Sequence, residues 1–366
     1  MARRKVTAPP SSPQGTATPA VPASERKTTL AIVASAAGVS LATVSKVIHG
    51  REDVGPRTRA EVQRLLDEQG YVPTTRRRSS SQRVTIELAF DDFMSPYATE
   101  LQRGVVAAAR EDDVDVIVSE FAVRGASDGE RPWMRNPRAA DRRGVLLVTS
   151  DIQPQQAREL RVAGLPLVVI DPVHSPDEDV VSIGATNWAG GVSATEHLLA
   201  LGHRRIAYIG GPDDTDVNLA RLHGYRAALE KHGVAFDAAI VGGGQLDSST
   251  GARLASTFLT RGNRPTAVFA ITDLVAMGVL QAAHALGLQV PADLSVVGFD
   301  DTYVASLTTP PLTTVRTPLQ EMGRVAFRTL RRLIDGHGLD SHHIELATQL
   351  VVRSSTARPL SERQVH

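Results

Sequence analysis

The chain has 366 residues, which at roughly 150 residues per domain predicts two or three domains and excludes a single small binding module. With 42% hydrophobic and 22% charged residues it can bury a core, so wholesale disorder is excluded; with no cysteine, so are disulfides, thiolate chemistry and cysteine-ligated metal centres. The formal net charge of zero hides a polarity: residues 1–83 carry 14 Lys/Arg against 6 Asp/Glu, so a front end of +8 precedes a body of −8. That asymmetry points to a module that meets a polyanion through counterion release; the competing reading is a basic disordered tail. No apolar run approaches the roughly 20 residues needed to cross a bilayer, and residues 1–24 lack the apolar stretch of a signal peptide, so a cytoplasmic protein with no membrane partner is expected.

Residues 1–27, rich in Pro, Ser, Thr and Ala, read as a disordered leader. From Thr28 the pattern turns helical: Leu30, Val33, Ala34 and Ala37 share a face, Gly38 stops the run, and Ser40 is placed to cap a second helix containing Val44, Val47 and Ile48. A third helix is predicted from Pro56 to Gln69, with Val62, Leu65 and Leu66 inward and Gly70 as its stop. Residues 28–73 thus read as an all-α helix-turn-helix domain. In it Ala34 lets the helices cross closely, Gly38 tolerates the turn, Val44 faces inward, and Leu41, Ala42, Ser45 and Lys46 face a major groove. Residues 74–83, TTRRRSSSQR, have no apolar anchor and read as a hinge linker.

Beyond the linker, apolar runs at 84–90, 114–121, 144–150, 165–171, 205–211, 266–272 and 294–300 alternate with helical stretches near 97–111, 153–163, 188–201, 217–233, 249–261 and 274–286. Strands that read as unbroken apolar runs, each followed by an amphipathic helix, predict parallel sheets covered on both faces. These runs and the shorter ones between them, about nine strands in all, exceed one comfortable sheet, so an α/β core of two doubly wound lobes is expected, with a ligand cleft at the carboxyl ends of the strands. The glycine runs at 210–212 and 242–244 match no phosphate-binding pattern. His337, His342 and His343 lack metal-ligand spacing, and no cofactor or metal is assigned.

The stretches AGVSLATVSKVIHG and VGPRTRAEVQRLLDEQGYVP resemble the DNA-binding domain of the LacI/GalR family of bacterial transcription regulators. LVVIDP, HLLALGHRRIAYIGGP, LARLHGYRAALE, ITDLVAMGVLQAAHALGLQVPADLSVVGFDD and TTPPLTTVRTPLQEMGRVA are similar to that family's effector-binding core, so the resemblance covers roughly Thr28 to Ser354. It implies a two-lobed, periplasmic-binding-protein-like core over 84–354, followed by a tail at 355–366. The N-lobe is expected at about 84–185 and 317–340, and the C-lobe at about 186–312 and 341–354. It further implies a homodimer, with a tetramer as the alternative, whose N-lobe interface includes the helix near 97–111. Such a dimer holds two heads on a pseudo-palindromic double-stranded operator, and a small-molecule effector changes operator affinity.

Carried over residue by residue, Leu41 and Ala42 open the recognition helix and offer apolar contact suited to a thymine methyl, leaving hydrogen-bonded readout to Ser45 and Lys46. Thr29, Ser40, Thr43 and Lys46 are phosphate-contact candidates, although plain capping accounts equally for Thr29 and Ser40. The linker departs from the family: the apolar residue that wedges the minor groove is replaced by serine, and Arg76, Arg77 and Arg78 are expected to contact phosphates or enter a narrow minor groove as cations. In the core the resemblance places Arg221 in the cleft, where it would donate paired hydrogen bonds, with Asp273, Asp300 and, more weakly, Asp171 as acceptors for sugar hydroxyls. An Asp beginning a helix, as Asp273 does, is commonly an N-cap, and of Asp300 and Asp301 one could form the turn. Leu246 stands where relatives often have an aromatic platform, so stacking on a sugar is expected from Phe90, Phe93 or Trp188.

The resulting expectation is a cytoplasmic, nucleoid-associated repressor without catalytic residues, responsive to a sugar or oligosaccharide, with a purine or nucleoside effector as the alternative. A transporter's solute-binding protein fits the core but not the missing secretion signal. An enzyme lacks any nucleophile elbow, Walker sequence or dinucleotide fingerprint.

Overall fold

The computed structural model describes residues 30–48, 51, 54–68, 83–90, 92, 94–120, 141–149 and 152–360. They belong to two compact units, one within residues 1–82 and one within 83–366. Thr29, Arg76, Arg77, Arg78 and Phe93 lie outside the described residues.

The first unit contains α1 (Leu30–Ala37), α2 (Leu41–Ile48) and α3 (Pro56–Glu68). Gly38, at φ 63°, makes the turn that an L side chain would strain. The Ser40 hydroxyl accepts the Thr43 amide at 3.1 Å and so caps α2. Val33, Ala34, Val44, Val47, Val54, Val62, Leu65 and Leu66 form the core of this unit. Fully burying each of the larger ones contributes about 1.5–3 kcal/mol.

The second unit begins with β1 (Thr85–Phe90), α4 (Pro96–Glu111), β2 (Asp115–Glu120), β3 (Arg142–Val148), α5 (Pro154–Val162), β4 (Leu167–Ile170) and β5 (Val181–Ala185). Then follow α6 (Asn187–Ala200), β6 (Ile206–Ile209), α7 (Asp216–Lys231), β7 (Val241–Gly242), α8 (Ser248–Leu259), β8 (Ala267–Ala270), α9 (Asp273–Ala285), β9 (Ser295–Asp300) and α10 (Tyr303–Leu307). The last elements are β10 (Thr313–Arg316), α11 (Leu319–Ile334), β11 (His343–Leu346) and β12 (Gln349–Val351). One parallel sheet has the order β11-β5-β4-β3-β1-β2; the other, β12-β10-β9-β8-β6-β7, is parallel except where β12 runs against β10. Helices α4 and α11 cover one face of the first sheet and α5 the other; α6 and α7 cover one face of the second, α8 and α9 the other.

Several strands escaped the sequence pattern. Strand β5 (VSIGA) carries Ser and Gly, β10 (TTVR) is polar at one end, and β11 (HIEL) alternates because its outer face is uncovered. Their pairing also corrects the lobe boundary. Residues 341–354 were expected in the C-lobe, but β11 pairs in parallel with β5 of the N-lobe, and only β12 returns to the C-lobe sheet. The chain therefore crosses between lobes three times, at 185–187, 316–319 and 346–349. Thr186 and Thr348 tie two of the crossings together, the Thr348 amide donating to the Thr186 hydroxyl at 3.0 Å.

Asp273, 1% exposed, is tied into this core by hydrogen bonds of its own. Thr272, not Asp273, caps α9. The Asp273 carboxylate accepts the Thr302 amide at 2.7 Å, the Thr302 hydroxyl at 2.9 Å and the Thr314 hydroxyl at 2.6 Å, joining α9 to the loop after β9 and to β10. Phe90 likewise belongs to the core: Ile86, Leu88 and Phe90 alternate onto the face beneath α4, and Phe90 is 1% exposed, so its ring is not a stacking platform.

Helix pairs cross at glycines with no room for a side chain. A Cβ on Gly104 of α4 would overlap the carbonyl oxygen of Gln320 of α11, and one on Gly323 would sit 2.4 Å from that of Leu101. Backbone cannot yield as a flexible side chain can, so Gly104→Ala is expected to destabilise the core by about 2 kcal/mol, measured as a lowered urea midpoint. Burial, then the neighbouring Asp300 carboxylate, push Asp273 up to about 8 despite its three donors. An acid whose pKa is higher folded than unfolded confers stability below its unfolded value that is lost as pH rises to the folded one. Asp273→Asn is therefore expected to flatten the fall in melting temperature between about pH 4 and 8; an unchanged slope would show that Asp273 does not titrate there.

Candidate functional site

In the first unit, the residues expected to read DNA lie together on α2. Leu41 is 53% exposed, Ala42 and Lys46 are exposed, and Thr43 and Ser45 are half-buried, whereas Val44 and Val47 point into the core. Ser40 is engaged through its hydroxyl with both the amide and the hydroxyl of Thr43, so capping occupies it. The helix thus presents one small apolar and cationic face, of a size that enters a major groove.

In the second unit, the site is built at the carboxyl ends of strands from both lobes. Several of these strands end on a non-glycine residue with positive φ: Thr149 (48°) after β3, Asp171 (45°) after β4, and Asp300 (97°) and Asp301 (54°) at the end of β9. Such backbone persists where the surroundings over-determine it, a common property of ligand sites. From the N-lobe, the Tyr97 hydroxyl at the start of α4 donates to Asp171 Oδ2 at 2.5 Å. Burial, then the Asp171 carboxylate, raise the Tyr97 phenol well above its usual value; burial raises Asp171, with Tyr97 and Arg221 opposing.

From the C-lobe, Arg221 of α7 is 3% exposed. Its Nε donates to Asn187 Oδ1 at 2.9 Å and its Nη1 to the Ile271 carbonyl at 2.6 Å; Nη2 lies 3.5 Å from Asp300 Oδ1, and the guanidinium stacks on Phe299 at 3.6 Å. The fork has five N–H groups and three are engaged, leaving two for a ligand. Asp300 Oδ1 also receives a long contact from Thr317, at 3.5 Å. Burial pushes Asp300 up to about 6, with Arg221 pulling against it. The second acid is spent elsewhere: Asp301 pairs with Arg316 at 2.7 Å and Arg353 at 2.5 Å.

The lobes are also latched at the cleft's edge. Asp216 Oδ2, in the first turn of α7, accepts the Ser175 amide and hydroxyl, both at 2.7 Å, and the Asp216 amide donates to the Val173 carbonyl at 2.9 Å. A cavity of about 810 Å³ beside the latch is lined by Asp171, Asn187, Trp188, Asp216, His343 and Glu345, among others. Trp188, 53% exposed, lines it; Leu246, 48% exposed, instead covers Gly211 just beyond β6.

Of the expected core residues, the fold brings Asp171, Arg221 and Asp300 together and sets Trp188 next to them. Tyr97, Asn187, Phe299, Ser175 and Asp216 were missed. Asn187 had a readable signal, since it follows an apolar segment and opens a helix; the others had none, because each acquires its neighbours from distant parts of the chain, Tyr97 and Phe299 within a lobe and Ser175 and Asp216 across the cleft. Among the described residues no group of three or more His, Asp or Glu side chains is arranged to hold a metal ion, and no helix is long and apolar enough to cross a membrane.

The family model for bacterial regulatory proteins, lacI family, matches residues 29–74, and that for a periplasmic binding protein-like domain matches residues 195–356. The HTH-type transcriptional regulator CelR of Thermobifida fusca is 35% identical over 339 residues, covering 90% of this chain and 98% of its own. The HTH-type transcriptional regulator DegA of Bacillus subtilis (strain 168) is 33% identical over 341 residues, again 90% and 98%. Among solved structures, a CelR–cellobiose complex superposes with a TM-score of 0.67 at 33% identity, covering 90% of this chain and 100% of that one. The lac repressor dimer bound to operator and the anti-inducer ONPF gives 0.67 at 27% identity, covering 90% and 99%. A recognition-helix head, a two-sheet core and full-length identity of this order converge on one conclusion: the chain belongs to the lacI family of bacterial regulatory proteins and is a helix-turn-helix transcriptional regulator.

Proposed function

We propose that this regulator is a cytoplasmic homodimeric repressor that binds a pseudo-palindromic operator and is released from it by a carbohydrate effector, with no catalytic step. The observation that carries the reading is the convergence of Tyr97 and Asp171 from one lobe with Arg221 and Asp300 from the other. Two acids and one planar cation form a set that accepts from and donates to vicinal hydroxyls. A purine would ask instead for a flat slot and a fixed donor pattern. The CelR relative is known in complex with cellobiose, which supports a sugar here.

The mechanism is linkage. A sugar that bridges the two lobes stabilises the closed core by its differential affinity for closed over open, and the three crossings transmit that change to the segment leading to the heads. On the DNA side, Leu41 and Ala42 would supply apolar contact, Ser45 and Lys46 hydrogen-bonded contact, and Thr43, with Ser40 already engaged in capping α2, is a phosphate-contact candidate. Thr29 and the Arg76–Arg78 run complete the set as phosphate or minor-groove contacts.

Arg221→Lys keeps the charge but loses the planar fork. It is expected to hold operator affinity within about threefold while weakening the effector response by roughly 100-fold, about 2.7 kcal/mol, in gel-shift titrations; a retained response would remove Arg221 from the site. Lys46→Ala is expected to weaken operator binding and to reduce the slope of log affinity against log salt by about one. An unchanged slope would exclude a Lys46–phosphate contact.

A further inference from the structure

The uncovered face of strands β5 and β11 carries a pattern that core packing does not explain. In register, Ser182 pairs with His343 and Gly184 with Glu345. On β5, Val181, Ile183 and Ala185 face the N-lobe core, so Ser182 and Gly184 face the other way. There His343 and Glu345 are exposed, and Ser182 and His343 Nδ1 share a hydrogen bond of 2.9 Å. A Cβ on Gly184 would lie 3.6 Å from Asp171 Oδ1, so the glycine opens a depression beside that carboxylate. Asp171 is the link: it is bonded to Tyr97 in the interlobe site and also lines the 810 Å³ cavity with His343, Glu345 and Asp216.

One aromatic ring, that of Trp188, joins small apolar residues in the remaining wall. Trp188 is the second residue of α6, next to Asn187, whose side chain holds Arg221. Its backbone is fixed where α6 crosses α7, because a Cβ on Gly224 would come within 2.2 Å of the Trp188 carbonyl oxygen. Trp188 nevertheless remains 53% exposed, to the cavity and to solvent. A rigid backbone carrying a half-bare indole, beside a row of carboxylates and an imidazole, matches the two surfaces of a pyranose: an apolar C–H face and a rim of hydroxyl groups.

Resting on the sugar reading above, we infer that this side cavity is a second saccharide subsite, with Trp188 as its platform and Glu345, His343 and Asp216 as its hydrogen-bonding rim. The effector is then a disaccharide or longer, with one ring between Tyr97, Asp171, Arg221 and Asp300 and the next on Trp188. Asp171 and Asn187 border both rings and set the register of the glycosidic bond. A monosaccharide fills only the inner position and leaves the indole wet.

The test is calorimetric titration of the full chain with cellobiose, maltose, trehalose, sucrose, glucose and fructose. At least one disaccharide is expected to bind 30-fold or more tightly than its component monosaccharides. Trp188→Ala should weaken that disaccharide about tenfold and leave monosaccharide affinity within about twofold, while Trp188→Phe restores most of the loss. Because the side chain is half-exposed, the variant folds, and unchanged operator binding checks that it has. With Trp133→Phe, Trp188 becomes the sole indole, and its fluorescence should respond to the disaccharide but not to glucose. Sugar binding with no preference for the longer ligand, or equal loss of both ligands in Trp188→Ala, overturns the subsite alone. Failure of every sugar to bind overturns the carbohydrate reading and the subsite with it.

Discussion

The Arg221 guanidinium is the constraint from which the effector-side architecture follows. A cation that is 3% exposed must have its charge paired, because an unpaired buried charge costs several kcal/mol. Its partners come from separate elements: Asn187 at the first lobe crossing, the Ile271 carbonyl beyond β8, Asp300 at the end of β9 and the Phe299 ring beneath it. Asp300 in turn contacts Thr317 on a second crossing. The candidate ligand site and the lobe crossings are therefore one network, and a ligand drawing on the two remaining guanidinium protons would act directly on the segments that join the lobes.

Both lobes are made rigid in the same way. Glycines at the α4–α11, α6–α7 and α8–α9 crossings bring backbone against backbone, as at Gly104, Gly224 and Gly278. Such contacts leave little room for sliding, so relative motion concentrates in the three crossings. Across the cleft the fastening is lighter: the Ser175–Asp216 bonds are exposed, and exposed polar contacts contribute at most about a kilocalorie per mole each. A firm pair of lobes with a light latch is the arrangement in which a small differential binding energy shifts a population.

The helix-turn-helix head was legible residue by residue because its information is local. Gly38 makes the turn, Ser40 caps, and the helical period separates Val44 and Val47 from Leu41, Ala42 and Lys46. In the core, the unbroken apolar runs announced buried parallel strands. Strands β5, β10 and β11 were not legible, since each lies toward a sheet edge or a crossing and carries the polar residues such places tolerate. Phe90 could have been read correctly: the alternation Ile86, Leu88, Phe90 already assigns it to the core face.

The sequence alone determined the class of the protein, namely a basic three-helix head, an acidic two-sheet body and the polar residues at the carboxyl ends of its strands. It did so because helix period, turn chemistry and strand hydrophobicity are properties of neighbours along the chain. Tertiary structure alone decided which of those polar residues face one another. Asp273 turned inward to hold Thr302 and Thr314, Asp301 was taken by Arg316 and Arg353, and Tyr97 and Asp216 became site and latch residues without any mark in the sequence. The physical reason is that burial and pairing depend on residues tens to hundreds of positions apart, which only the packed lobes bring within a hydrogen bond of each other.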